Sequence, residues 1–306
     1  MKFSHISVLL NESIENLNIK EDGIYADLTL GKGGHSKEIL ERLNEDGLLI
    51  GLDQDKEAIK AAKENLNNFS NVLYFNRNFE NIQNVLLEAG VDKLDGALMD
   101  IGVSSYQIDK ADRGFSYMKD GPLDMRMDKD NELTAKHIVN DYSLDELWEI
   151  FQNFGEERYS KTIAKAIVDY RKNEEINTTL QLRNIVMNSV NSNEAHPEKR
   201  VFQALRIEVN RELEVLENTL ETVVDNLKKG GRLCVITFHS LEDRIVKNKF
   251  KEMSKDCICP PDFPVCVCNH KRKVKVITKK PILPKKSELK ENRRSHSAKL
   301  RVVERV

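Results

Sequence analysis

Short apolar runs alternate with helical spacing over the first third of the chain. The runs end at Leu30, Leu52, Phe75 and Met99. Between them, apolar residues recur three or four positions apart, as they do on one face of a helix. Strands and helices in alternation are typical of proteins in which helices cover both faces of a mostly parallel sheet. We therefore expect an α/β fold with a doubly wound sheet.

A glycine-rich turn follows the first predicted strand. Gly31, Gly33 and Gly34 lie between that strand and a helix, and Asp53 ends the second strand about 20 residues later, as in a nucleotide-binding βαβ unit. Glycine lets the main chain approach a ligand where a Cβ atom would collide with it. A carboxylate at the second strand tip can accept hydrogen bonds from both hydroxyl groups of a ribose. The turn thus predicts a ligand of the adenosine type.

Two other interpretations of this turn stay open. A dinucleotide fingerprint has a third Gly or Ala where this chain has Ser36, so the pattern does not select a nicotinamide cofactor. A tight turn that binds no ligand would carry the same glycines.

Polar and aromatic residues follow three further predicted strands. Asp100 ends the fourth strand, which places it at the same sheet edge as Asp53. Two carboxylates at neighbouring strand tips are costly to place together without a ligand that offers donors. Phe79, after the third strand, is expected either to cover an adenine ring or to join the core of the next helix. His239 follows the fifth strand, and its role is open between site and structure.

Capping residues and a glycine pair set further boundaries. Asp55 is predicted to cap a helix over 56–66. A later amphipathic helix is expected to continue to Leu227, with the fifth strand beginning after Gly230 and Gly231. A capping box running from Ser240 to Asp243 is predicted to open the helix that follows this strand.

The segment 109–210 lacks strand patterns and is predicted to be helical. It begins with a loop over 112–128 that contains Gly and Pro, and loops of that length are uncommon unless they are functional. Capping boxes that begin at Ser143 and Thr178 open two of its helices. We expect a core in two parts, 1–108 and 211–306, interrupted by an inserted all-helical domain, 109–210.

The 306 residues carry a net charge of −2 that hides an uneven distribution. From Lys271 to Val306 there are 14 Lys and Arg against 3 Asp and Glu. A local basic segment suits contact with phosphate groups, whereas a solvated tail is an equally weighted alternative. No apolar run reaches the roughly 18 residues that a membrane span needs, and no signal peptide is visible, so we expect a cytoplasmic protein without membrane contact.

Four of the five cysteines are concentrated near the basic segment. They form two C-x-C pairs with six residues between the pairs, and His270 follows them: Cys257, Cys259, Cys266 and Cys268. Four thiolates can hold tetrahedral zinc, although paired ligands more often have two to four residues between them. Free thiols in a loop stiffened by Pro260, Pro261 and Pro264 are the favoured alternative, and we expect no metal ion at the cofactor site.

Six sequence blocks resemble one family of enzymes. They are Gly-Lys-Gly-Gly-His (31–35), Asp-Ile-Gly-Val-Ser-Ser (100–105), Asp-Arg-Gly-Phe-Ser (112–116), Gly-Pro-Leu-Asp-Met-Arg-Met (121–127), Phe-Gln-Ala-Leu-Arg-Ile (202–207) and Phe-His-Ser-Leu-Glu-Asp-Arg (238–244). In this order, and over nearly the whole chain, the blocks resemble the bacterial 16S ribosomal RNA (cytosine-N4) methyltransferase family, RsmH or MraW. The wording Asp27-x-Thr29-x-Gly31 also resembles the first motif of S-adenosylmethionine-dependent methyltransferases.

The resemblance implies a Rossmann-like class I methyltransferase fold and S-adenosyl-L-methionine as the cofactor. The implied reaction is methylation of N4 of a cytosine in the decoding region of 16S rRNA, with the small ribosomal subunit as partner. The implied cofactor residues are Gly33, Gly34 and His35 at the methionine end, Asp53 at the ribose, Phe79 beside the adenine, and Asp100 and Gln107 to complete the site. The helical insertion, the 112–128 loop and the basic segment are the expected RNA-facing surfaces.

The chemistry adds a hypothesis about Asp100. Cytosine N4 is a poor nucleophile because its lone pair is delocalised into the ring, and an acceptor facing the amino group would localise that pair. We expect Asp100, or a backbone carbonyl beside it, to accept from N4, with Ser104, Ser105 and His239 shaping the site.

Two other functions and one assembly question stay open. A nicotinamide-linked oxidoreductase could use the same βαβ opening, and a non-enzymatic RNA-binding protein with a degenerate cofactor fold could carry the same basic segment. The sequence leaves open whether the chain forms a homodimer.

Overall fold

The computed structural model describes residues 7–190, 196–260, 263 and 265–306. Pro261, Pro264 and the side chain of Ser105 lie outside the described residues. The chain divides into two compact units, the first made of 1–102 with 213–306 and the second of 103–212. The expected insertion, 109–210, falls within the second unit, and its boundaries as a domain stay a prediction.

Seven strands form one sheet in the first unit. They are β1 Ile24–Asp27, β2 Leu48–Asp53, β3 Val72–Asn76, β4 Leu94–Asp100, β5 Leu227–Thr237, β6 Val274–Val276 and β7 Lys299–Arg305. Their order is β3-β2-β1-β4-β5-β7-β6. Strands β1 to β5 are parallel, whereas β7 runs antiparallel to β5 and β6. The order reverses between β1 and β4, which is where open α/β sheets bind ligands. The predicted doubly wound, mostly parallel sheet is confirmed.

The described residues also form thirteen α-helices. They are α1 Leu10–Leu17, α2 Gly34–Leu40, α3 Lys56–Asn65, α4 Ile82–Glu88, α5 Ser105–Asp109, α6 Ala135–Asp141, α7 Leu144–Asn153, α8 Ser160–Arg171, α9 Thr179–Ser189, α10 Pro197–Asn210, α11 Glu212–Asp225, α12 Ser240–Met253 and α13 Lys286–Glu291. Within this part of the chain, no helix is both long and apolar enough to cross a bilayer.

Two apolar clusters cover the sheet because successive strand residues point to opposite faces. Ala26 and Ile50 belong to the cluster that contains residues of α4, α11 and α12. Their neighbours Tyr25 and Leu49 belong to the cluster that contains residues of α1, α2 and α3. Both faces of the sheet are therefore buried, which leaves the ends of the strands to carry polar chemistry.

The second unit consists of helices with a core of their own. Ser143 and Thr178 accept hydrogen bonds from the third residue of α7 and α9, so both predicted capping boxes are confirmed. The 112–128 loop is held by buried polar contacts. The Asn210 side chain accepts from the main-chain N–H of Met127 (2.8 Å) and donates to the carbonyl of Met125 (2.9 Å).

The fifth strand begins earlier than predicted. α11 ends at Asp225, whereas the sequence pattern extended that helix to Leu227, and β5 begins at Leu227, before the glycine pair. Leu227 pairs with Leu94, but the next pairing is Arg232 with Gly96, so the intervening residues bulge from the ladder. Gly230 takes φ +81° in this bulge, with no neighbour near its Cβ position. The glycines thus mark an irregularity within the strand, where the sequence pattern placed its start.

We expect Asn210→Ala to destabilise the second unit by about 1–3 kcal/mol, because the buried N–H of Met127 loses its acceptor. The change is measurable by urea unfolding followed through Trp148, the chain's one tryptophan, which lies in α7 of that unit. Asn153→Ala, at an exposed position, is the control and should cost less than about 0.5 kcal/mol. Equal midpoints for the two variants would show that the Asn210 contacts do not hold the loop.

Candidate cofactor site

Three carboxyl groups lie at the carboxyl ends of adjacent strands in the first unit. Asp27 ends β1, Asp53 ends β2 and Asp100 ends β4. Strand β1 lies between the other two, so Asp27 is the middle member of the row. The structure confirms that Asp53 and Asp100 lie at the same edge of the sheet. The expectation that they end neighbouring strands was wrong, because β1 lies between β2 and β4 and places Asp27, to which no role was assigned from sequence, between them.

Asp27 is fully buried and bonded within its own βα unit. Ser36 Oγ donates to Asp27 Oδ2 (2.6 Å), and the Thr29 N–H donates to Oδ1 (3.2 Å). Burial nevertheless raises the pKa of Asp27 to about 6. Ser36 occupies the position of the third glycine in a dinucleotide fingerprint, and its hydroxyl joins α2 to β1. This contact gives a physical reason for the departure from that fingerprint.

Thr29 joins the glycine-rich turn to the tip of β4. Its Oγ1 accepts from the main-chain N–H of Asp100 at 2.6 Å. The Thr29 side chain thereby fixes where the main chain of Asp100 lies relative to the turn. Thr29 belongs to the methyltransferase-like motif, which was the available signal, but its partner could not be read from the sequence.

Asp53 accepts from two main-chain N–H groups. Gly31 donates to Oδ2 (2.8 Å) and Asp55 donates to Oδ1 (2.9 Å). Burial raises the pKa of Asp53 to about 6 despite these bonds. Each carboxylate oxygen has two lone-pair sites, so each keeps one site for a further donor. Asp55 in turn accepts from the Glu57 N–H (3.0 Å), which confirms its predicted role as the cap of α3.

Asp100 has a largely buried carboxyl group. Within the described residues, no group hydrogen-bonds to its Oδ1. Its Oδ2 lies 3.8 Å from Nδ1 of His35, and Nε2 of that ring lies 3.0 Å from the carbonyl oxygen of Val8. A carbonyl can only accept, so Nε2 carries a proton, while Nδ1 faces the carboxyl group. Burial, and then the charges of Asp27 and Glu242, raise the pKa of Asp100 to about 8.

Two glycines of the turn lie close to other side chains of the protein. Gly33 has φ +80°, and a Cβ atom there would lie 2.9 Å from Leu66. A Cβ atom at Gly34 would collide with Oγ of Ser7. The protein's own side chains therefore also restrict these two positions, and the close approach of a ligand stays a prediction. Gly31, with φ +52°, has nothing nearer than 3.9 Å on its Cβ side.

Phe79 and Gln107 have structural contacts of their own. Phe79 begins a 3-10 turn and packs against the buried cluster on one face of the sheet. Gln107 lies in the second unit, where its Oε1 accepts from the Ser104 N–H (3.0 Å) in the capping box of α5. The roles of both residues toward a cofactor, and of Ser104 in shaping the site, stay predictions.

His239 caps α12, and the predicted capping box was wrong by one residue. Its Nδ1 accepts from the Glu242 N–H, while Glu242 Oε2 accepts from the N–H groups of Phe238 (2.8 Å) and His239 (3.2 Å). Asp243, predicted to close the box from Ser240, instead binds Arg301 Nε at 2.6 Å. The longer Glu side chain reaches back over the turn, and the same reach places a buried carboxylate near Asp100.

We expect Asp100→Asn to flatten the pH dependence of stability in the ligand-free protein. The folded chain keeps a proton on Asp100 up to about pH 8, whereas the unfolded chain loses it near pH 4. Stability therefore falls as pH rises between these values, by at most about 1.4 kcal/mol per unit, and the Asn variant lacks this loss. The variant should be the more stable protein at pH 8.

The informative window is pH 6 to 8, because Asp27 and Asp53 titrate near 6. Urea unfolding at pH 6, 7 and 8 measures the slope, and Asp46→Asn, at an exposed carboxylate, is the control that should leave it unchanged. Parallel slopes for Asp100→Asn and the parent would contradict the raised pKa.

Comparison with known proteins places the chain in a family. The model of the MraW methylase family matches residues 2–306. Ribosomal RNA small subunit methyltransferase H of Clostridium botulinum (strain Loch Maree / Type A3) is 56% identical over 309 residues, covering 100% of both chains. The protein of the same name from Lachnospira eligens is 56% identical, covering 100% of this chain and 99% of its own.

Among solved structures, an rRNA methylase from Streptococcus thermophilus matches 99% of each chain with a TM-score of 0.44 and 11% identity. The family model and both relatives match this chain over its whole length or nearly so. On that ground, the chain belongs to the MraW methylase family.

Proposed function

We propose that the protein transfers a methyl group from S-adenosyl-L-methionine to N4 of a cytosine in the decoding region of 16S rRNA. The observation that carries the proposal is the row of carboxyl groups at the tips of β2, β1 and β4, in which Asp100 Oδ1 has no partner among the described residues. Relatives that are 56% identical over their full length are named small-subunit rRNA methyltransferases, which supports the substrate class.

The residues at this sheet edge fit the cofactor. Asp53 keeps one lone-pair site on each oxygen after accepting from Gly31 and Asp55, which suits the two hydroxyl groups of a ribose. Gly33 is the N-cap of α2, Gly34 and His35 are its first two residues, and these three residues would hold the methionine end. When bound, S-adenosylmethionine supplies a methyl group that is already activated by its positive sulfur.

Asp100 is suited to two tasks at this edge. Near neutral pH it holds a proton, and a cation placed beside it would favour its ionised form. An ionised Asp100 accepts hydrogen bonds, as the hypothesis for the N4 amino group requires. The adjoining main chain is fixed as well, because Asp100 N–H donates to Thr29 and Ile101 N–H donates to the carbonyl of Ile236 (2.9 Å). Fixed acceptors orient an amine at low entropic cost.

The basic segment is only partly available for RNA. β7 is paired on both sides, which contradicts the solvated-tail alternative. Arg301 and Lys299 bind Asp243, and Lys273 binds Glu221 and Asp225. The exposed lysines after β6, Lys279 and Lys280, are the better candidates for phosphate contact.

The proposal extends to location and assembly. A protein that acts on the small ribosomal subunit works in the cytoplasm, and we propose that location here. The homodimer left open by the sequence stays a prediction.

The decisive experiment is mass spectrometry of nucleosides from small ribosomal subunits incubated with the protein and S-adenosylmethionine. We expect N4-methylcytidine with the parent and none with Asp53→Ala, whose calorimetric affinity for S-adenosylmethionine should fall at least tenfold. Asp46→Asn is the control and should match the parent. Binding of NAD in place of S-adenosylmethionine would support the oxidoreductase alternative, and cofactor binding without methyl incorporation would contradict the proposed substrate.

We expect Lys279→Gln/Lys280→Gln to weaken RNA binding and to reduce the slope of log affinity against log salt by about 1 for each phosphate that the variant no longer neutralises. Lys60→Gln/Lys63→Gln removes the same charge from the exposed side of α3 and is the matched control. Filter binding of small-subunit RNA over a series of salt concentrations gives both slopes. Identical slopes for the two double variants would exclude Lys279 and Lys280 from the RNA surface.

A further inference from the structure

The four clustered cysteines lie in one loop between α12 and β6, which we call the cysteine loop (residues 257–268). All four are reduced, and each is exposed or half-buried. The fifth cysteine, Cys234, is fully buried in the sheet. The cysteine loop belongs to neither the carboxyl row nor the basic strands, and nothing in the proposed reaction uses it.

The four sulfur atoms converge on one point. Sγ of Cys268 lies 3.7 Å from Sγ of Cys257 and 3.6 Å from Sγ of Cys266, and all four sulfurs lie within 4.8 Å of one another. A disulfide requires about 2.05 Å, so these are not bonded pairs. Four thiolates placed tetrahedrally at about 2.3 Å from a zinc ion lie about 3.8 Å apart. The separations of 3.7 and 3.6 Å match that arrangement, and the remaining sulfur pairs lie within 4.8 Å.

Main-chain N–H groups orient the sulfurs. The Cys259 N–H lies 3.4 Å from Sγ of Cys257, the Ile258 N–H 3.5 Å from Sγ of Cys268 and the Val267 N–H 3.4 Å from Sγ of Cys259. Donors of this kind stabilise thiolate charge and fix ligand direction around a metal. They also explain how a spacing of one residue within each pair can serve, because each C-x-C turn directs its N–H groups to sulfur atoms.

Apolar burial does not explain the convergence. Ile258, Phe263, Val265 and Val267 are all exposed, Val265 to 70% and Val267 to 66%. A loop whose apolar side chains face water has no core to draw four sulfur atoms together, and small segments of this kind are commonly held by a metal. His270 is not part of the sulfur cluster, and its Nε2 lies 3.2 Å from the carbonyl oxygen of Glu252.

We propose that Cys257, Cys259, Cys266 and Cys268 bind one zinc ion in a structural site that holds the cysteine loop closed. The ion is four-coordinate with sulfur ligands only, so it has no open position for catalysis. The four thiolates and Zn²⁺ carry a net charge of −2, and the cationic residues Lys271 and Arg272 follow Cys268 after Asn269 and His270. The site is separate from the cofactor residues and does not depend on the proposed function.

The test is elemental analysis of the full-length protein, expressed without a histidine tag and purified under reducing conditions without chelator. We expect about one zinc per chain, falling by at least tenfold in Cys257→Ser and in Cys266→Ser. Cys234→Ala, the buried cysteine outside the cluster, is the matched control and should keep the metal. Because the loop is exposed, the serine variants should keep the circular dichroism spectrum of the parent, which separates loss of zinc from loss of fold.

Replacement of the metal by cobalt gives a second readout. The parent should show the intense ligand-field absorption of tetrahedral thiolate-bound Co²⁺, and Cys257→Ser should lose it. Three results would overturn the proposal: no metal in the parent even after addition of zinc, iron as the bound metal, or a non-reduced mass that has lost four hydrogens through two disulfides.

Discussion

The structure depends on holding three carboxyl groups at the ends of adjacent strands. The carboxyl ends of parallel strands lie at one edge of the sheet, so the fold itself places Asp27, Asp53 and Asp100 in one row. Main-chain and hydroxyl donors satisfy the first two, but burial still raises the pKa of each to about 6. Asp100 has fewer donors and a pKa near 8. The ligand-free edge therefore stores unfavourable electrostatic energy, which a cationic ligand with hydroxyl donors would relieve.

Much of this edge was predictable from sequence, and the reason is geometric. An apolar run that ends in Asp places the carboxyl group at the strand tip, and glycines with an Asp about 20 residues later mark a βαβ unit. Asp53 and Asp100 were found in this way. Thr29 and Ser36 were not assigned partners, because their bonds depend on which turn residue faces which strand. The periodicity of apolar residues does not show which turn residue faces which strand.

The errors at the ends of β5 have a similar cause. The glycine pair was interpreted as a turn before the strand, but Gly230 lies in a bulge within it, since pairing with Leu94 begins at Leu227. The capping role was assigned to Ser240 and Asp243, and His239 was left open between site and structure, whereas His239 is the cap. Asp243 forms an ion pair with Arg301 on β7, a strand distant in sequence, and Glu242 closes the capping box in its place. The sequence around α12 does not show that Asp243 has a partner on β7.

The number of charged residues in the basic segment overstates how many of them are available to bind RNA. Lys273 binds Glu221 and Asp225, and together with Lys249 it lowers the pKa of Glu221 to about 2. Arg301 is buried against Asp243. These cations neutralise acidic residues of the same unit while β7 and β6 complete the sheet. Part of a basic segment can therefore stabilise the fold through ion pairs. The exposed Lys279 and Lys280 after β6 remain available to contact a phosphate backbone.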